Sequence, residues 1–155
     1  MTTPTTPSLE QLIRDADTMV QQTLRYLEGP GAKSSTRIGR WGIWEVAAHL
    51  LYWHRTTAQA AQGVAQGEPP KRFTSPVDDI NEEAVAHCAG MGLADIVDEL
   101  REAHQDLLQA IRDLPDPDVP LMRRFDGTAP TAKDRLRTIA HHWSGHLKEM
   151  QGAKG

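Results

Sequence analysis

Apolar residues three and four apart recur through four long stretches of this chain, and that spacing limits what it can fold into. Residues so spaced share one face of a helix that turns about 100° per residue. Leu9, Leu12, Ile13, Ala16, Met19, Val20, Leu24 and Leu27 form the first stripe. Ser8 with Gln11 makes a capping box ahead of it and Gly29-Pro30-Gly31 stops it, which predicts a helix over about 8–28. After a polar, glycine-bearing loop over 32–40, Ile43, Val46, Ala47, Leu50, His54 and Ala61 mark a second helix in the stretch from Trp41 to Gly67. The third carries Leu93, Ile96, Val97, Leu100, Ala103, His104, Leu107, Leu108, Ile111 and Leu114, and ends at Pro115 and Pro117. The last opens on Thr131 with Asp134 as its capping-box partner, shows Leu136, Ile139, Ala140, Trp143 and Leu147, and runs to about Gln151. A short helix over about 78–89 lies within the long crossover between the second and third long helices. Val119 to Pro130 reads as irregular chain with a turn at Phe125-Asp126-Gly127. No stretch alternates with the period of two that a half-buried strand shows. The expectation is an all-α chain: a four-helix bundle in one domain over 8–151, behind a disordered leader over 1–7.

Charge and composition narrow the function classes. A net charge of −4 argues against a nucleic-acid partner, which calls for a basic surface. No apolar run approaches the roughly 18 residues of a membrane span, and the N-terminus lacks the basic and apolar regions of a secretory signal. The single cysteine, Cys88, excludes an internal disulfide and any zinc site built from several thiolates, so a reduced cytoplasm is the expected location.

The chemistry concentrates at two histidine-bearing segments. His142 and His146 stand four apart, one turn apart on one helix face, and both lie to one side of the last helix's apolar stripe. On the second helix His49 lies on the same flank of its own stripe, with Trp53 between. Two neighbouring helices are therefore expected to offer three imidazoles to one groove, an arrangement that leaves a bound metal at least one open position. Zinc or nickel leads, although iron or copper suits the same donors. Trp143, not glutamate, follows His142, which weakens a zinc-protease reading. His54 and His104 fall on apolar faces as core histidines, with His104 the candidate for a proton shuttle at the cavity. His141 is expected in solvent, and His87 and Cys88 in structural roles. Glu149, three after His146, either orients that imidazole, serves as general base, or is a solvated surface group. Arg123 and Arg124 form the one compact basic spot of the late loop, placed for an anionic cofactor or a substrate carboxylate unless solvated.

These residues carry a resemblance. Trp41-x-x-x-Glu45-Val46-x-Ala48-His49-Leu50-x-x-Trp53 resembles the second-helix signature of the DinB-like superfamily, and His142-x-x-x-His146 its last-helix histidine pair. The resemblance covers nearly the whole chain, including Asp79-Ile80-Asn81. It implies a four-helix bundle that binds a divalent metal through His49, His142 and His146, commonly as a homodimer. For activity it implies a mycothiol- or bacillithiol-dependent S-transferase or isomerase, with the metal activating the thiol of a low-molecular-weight cofactor and a small molecule as substrate. A metal-dependent hydrolase and a non-catalytic, small-molecule-binding resistance protein are the alternatives. Gly42 stands where the superfamily places a Ser or Thr cap. Leu147-Lys148-Glu149 replaces the Arg-Gly-Gln of the transferase branch, and His142 the glutamate of the isomerase branch. The substrate is therefore left open.

Overall fold

The computed structural model describes residues 7–39 and 41–152. The leader expected over 1–7 lies outside them except for Pro7. The chain is mainly helical: α1 (Leu9–Glu28), α2 (Ile43–Ala65), α3 (Val77–His87), α4 (Leu93–Arg112) and α5 (Ala132–Met150). Each long helix lies within the range its periodicity predicts. Among the described residues no helix is long and apolar enough to cross a membrane.

The caps follow the sequence with two differences. At α5 the capping box is complete: Asp134 N–H donates to Thr131 Oγ1 at 3.1 Å, and Thr131 N–H to Asp134 Oδ2 at 3.0 Å. At α1 only half of it forms. Ser8 Oγ accepts from Gln11 N–H at 3.1 Å, but the Gln11 side chain turns outward to Asp15 and Arg14. α2 starts two residues later than its motif, because Trp41–Gly42 (β2) pairs antiparallel with Arg37–Ile38 (β1). Gly42 caps α2 with no side-chain hydrogen bond.

Among the long helices, α2 lies along α4 and α1 along α5, with α1 also against α4 and α2 touching α5. Their apolar stripes meet in one core, where Leu24, Val46, Leu51, Leu100, Leu107 and Leu136 are almost wholly buried. Burial of this kind contributes roughly 25 cal/mol per Å² of apolar surface. Two indole N–H groups pin the outer chain to α2. Trp44 Nε1 donates to Met91 O at 2.9 Å, and Trp53 Nε1 to Asn81 Oδ1 of α3 at 2.7 Å.

The crossover and the late loop are less irregular than their composition implies. Lys71–Arg72 (β3) pairs in parallel with Met122–Arg123 (β4). Phe73 N–H donates to Arg123 O at 2.9 Å, beyond the pair. The expected turn at 125–127 follows, closed by Gly127 N–H to Arg124 O at 3.0 Å, with Gly127 at φ 89°, a left-handed value that suits glycine. Asp126 Oδ1 accepts from both N–H and Oγ1 of Thr128 and stiffens the turn.

Candidate functional site

A cavity of about 350 Å³ opens between α2, α3, the loop after β4 and α5. Its histidines are His49, His142 and His146. Trp41, Leu50, Trp53, Val77, Ile139 and Trp143 supply apolar wall, and Asn81, Arg124, Arg135 and Thr138 supply polar groups. The sequence-level expectation that α2 and α5 turn their histidines to one groove matches this placement. The His49 and His146 ring centroids are 5.5 Å apart and those of His142 and His146 5.8 Å, while Trp41 lies 5.4 Å from His49.

The imidazoles differ in surroundings. His142 is exposed, whereas His49 and His146 are partly covered, and the Nδ1 atoms of both are buried without a hydrogen-bond partner. Burial pushes His49 down to about 4; the neighbouring His146 adds to the shift, and Asn81 opposes it. His146 is also lowered, first by burial, against the pull of Glu149. Both rings are accordingly neutral near pH 7, which leaves a nitrogen lone pair free to act as a donor. Among the described residues no group of three or more His, Cys, Asp or Glu side chains stands as a ready-made metal cage. The three rings thus share a cavity without enclosing a point. The donor set nevertheless fits a divalent ion, because two neutral imidazoles present buried, unsatisfied nitrogens where a ligand would satisfy them.

The remaining candidates separate. Arg124 reaches the cavity and its Nε is buried without a partner, but Arg123 is exposed and does not line it. Arg123 ends β4 and is exposed, while Arg124 is the first residue of the loop after it, so the Arg123-Arg124 pair is split. Trp53 lines the cavity. Glu149 stays outside it, half-exposed, with Oε1 4.0 Å from His146 Nδ1, beyond hydrogen-bond reach. His104 does not line it either. It is buried behind His54, whose Nε2 stands 2.9 Å from His104 Nδ1, and its own Nε2 stands 2.8 Å from Asp17 Oδ1. The His54 ring in turn lies 5.0 Å from Trp143, so His104 touches the cavity wall only through two rings. His141 is exposed, and His87 stacks on Tyr52. Cys88 is buried outside the cavity that holds His49, His142 and His146, with its thiol pushed up by burial.

Arg135 is the cavity residue that the sequence reading passed over. It is 6 % exposed, its Nε donates to Thr57 Oγ1 at 3.3 Å, and its guanidinium lies 5.8 Å from the centre of the Trp53 ring. The signal was present in the spacing: Arg135, Ile139, His142 and His146 follow at intervals of four, three and four, along one face of α5.

The sequence profile of the DinB superfamily matches residues 15–150, from within α1 to the end of α5. The chain belongs to the DinB superfamily. The match takes in both segments that bear the cavity histidines, so the second-helix motif and the last-helix pair lie within this DinB domain. Among curated proteins, and among solved structures, none matches the chain significantly.

Proposed function

We propose that this DinB-superfamily protein is a four-helix bundle with a long crossover after α2, which binds a divalent metal through His49, His142 and His146. On that centre it acts as a metal-dependent S-transferase or isomerase with a low-molecular-weight thiol. The observation that carries the reading is the meeting of these imidazoles in one cavity, with the Nδ1 atoms of His49 and His146 buried and unpartnered. Zinc or nickel is the ion proposed for the three imidazole donors, and two copies of the chain per assembly are expected from the same kinship.

A bound divalent ion would favour the deprotonated form of a coordinated thiol. The chain's own residues set the rest. His49 and His146 are kept neutral by burial and so remain donors. Trp41, Trp53 and Trp143 keep bulk water from one side of the cavity, which strengthens the polar interactions inside it. Glu149, half-exposed and 4.0 Å from His146 Nδ1, is too far to hold that ring by a hydrogen bond. Cys88 lies elsewhere, so the reacting thiol has to come from solution.

One observation favours a second reading. The imidazoles do not enclose a point as they stand, and an apolar-walled cavity of this size also suits a protein that binds a small toxic molecule without turnover. Thiol consumption separates the two. The untagged, metal-loaded protein is assayed with mycothiol, bacillithiol and glutathione against a panel of electrophiles, with and without a chelator. Turnover of at least one pair, lost with the chelator, is the expected result. No turnover of any pair supports the binding protein instead.

A further inference from the structure

The cavity holds two arginines and no carboxylate to meet them. Arg135 comes from the first turn and a half of α5, almost completely buried, and its partners are a hydroxyl and an indole face. Among the described residues no acidic side chain forms an ion pair with it. Arg124 enters the same cavity from the loop after β4, with Nε buried and unpartnered. The carboxylate closest to it in sequence, Asp126, is exposed and hydrogen-bonded to Thr128; Arg124 acts on it only across a distance, as a lesser cause of its lowered value, and no ion pair joins the two. The two guanidinium groups lie close enough that Arg124 adds to burial in pushing Arg135 down to about 10, and the field of Arg135 reaches His49 and His54. A buried cation with a cation for neighbour is unfavourable unless a ligand offsets it.

We propose that Arg124 and Arg135 form a subsite for the carboxylate of a small substrate whose apolar body lies against the tryptophan wall. Guanidinium groups bind planar carboxylates through paired N–H···O bonds, with a geometry an ammonium cannot supply. Trp53 carries Arg135 on its face and extends the apolar wall beside it, so acid and apolar body are recognised next to each other. As a statement about the substrate this rests on the proposed function, but as a binding site it stands without the metal. A chain of this kind would bring an organic acid's reactive end toward the histidines while holding its carboxylate at α5 and the β4 loop.

Direct binding tests it. Benzoate, phenylacetate and succinate, the matching amides, and phenylphosphonate are titrated into the protein as purified and again with a chelator, by calorimetry and tryptophan fluorescence. At least one carboxylate is expected to bind one to one in both conditions and about tenfold or more tightly than its amide. Arg124→Gln and Arg135→Met are each expected to weaken it by about tenfold while leaving the amide unchanged. Arg124 sits in a surface loop, so its variant reports even if the α5 variant folds poorly. Binding that disappears with the chelator and ignores both variants is metal coordination alone, and overturns the subsite while leaving the metal centre standing. Equal binding of acid and amide, tighter binding of the phosphonate, or no binding of any acid overturns it as well. Persistent carboxylate binding in a protein that takes up neither zinc nor nickel when exposed to them supports the subsite and removes the metal centre.

Discussion

His54, His104 and Asp17 form a line from the core to solvent in which the proton positions follow from the partners. Asp17 accepts, so His104 Nε2 carries a proton, its Nδ1 is an acceptor, and His54 Nε2 donates to it. Both rings are neutral. His54 is held well below the ordinary histidine value by burial, then by His104 and Arg135. His104 is lowered by burial, against Asp17, which pulls it up. The unfolded chain therefore binds more protons than the folded one as pH falls below the ordinary histidine value of about 6.5. The stability contributed by neutral burial is complete above that value and declines as pH falls toward the lowered folded values. With a chelator present, melting temperature is expected to drop between about pH 7 and pH 5.5, with a shallower slope in His54→Gln. Thermal melts at several pH values check this. A flat profile, or an unchanged slope in His54→Gln, contradicts neutral burial.

The helices were legible because each announces itself locally. Periodic apolar residues, Ser8 and Thr131 caps, and glycine or proline stops all act within one or two turns. The flank on which His49, His142 and His146 lie could be read the same way, since it depends only on helix geometry. What escaped depends on distant partners. β3 and β4 are two residues each, too short for any periodicity, and they pair from opposite sides of α4, yet that pairing places Arg124 at the cavity. Arg135 looked like an ordinary polar first-turn residue until α2 supplied Trp53 and Thr57 above it. The start of α5 carries much of this arrangement, because its complete capping box fixes the helix from which Arg135, His142 and His146 project. Thr131→Ala is expected to cost about 1 kcal/mol. Ser8→Ala, at the half-formed box of α1, removes a single capping bond and is expected to cost less. Denaturant unfolding of both variants measures the difference, and an equal or reversed cost contradicts the asymmetry of the two caps.

At the scale of the molecule, α2, α3, the β4 loop and α5 gather apolar walls, imidazoles and guanidinium groups around one cavity. The match to the DinB superfamily spans the long helices from within α1 to the end of α5, both histidine-bearing segments included. Three tryptophans and two arginines line the cavity beside those histidines. The proposal that the histidines hold a metal meets its most direct test in elemental analysis of protein purified without a histidine tag, beside His49→Ala, His142→Ala and His146→Ala. One divalent ion per chain, lost or greatly weakened in each variant while the helical signal is retained, is the expected result. No bound ion after exposure to zinc and nickel, or full retention in all three variants, would contradict the three-histidine centre.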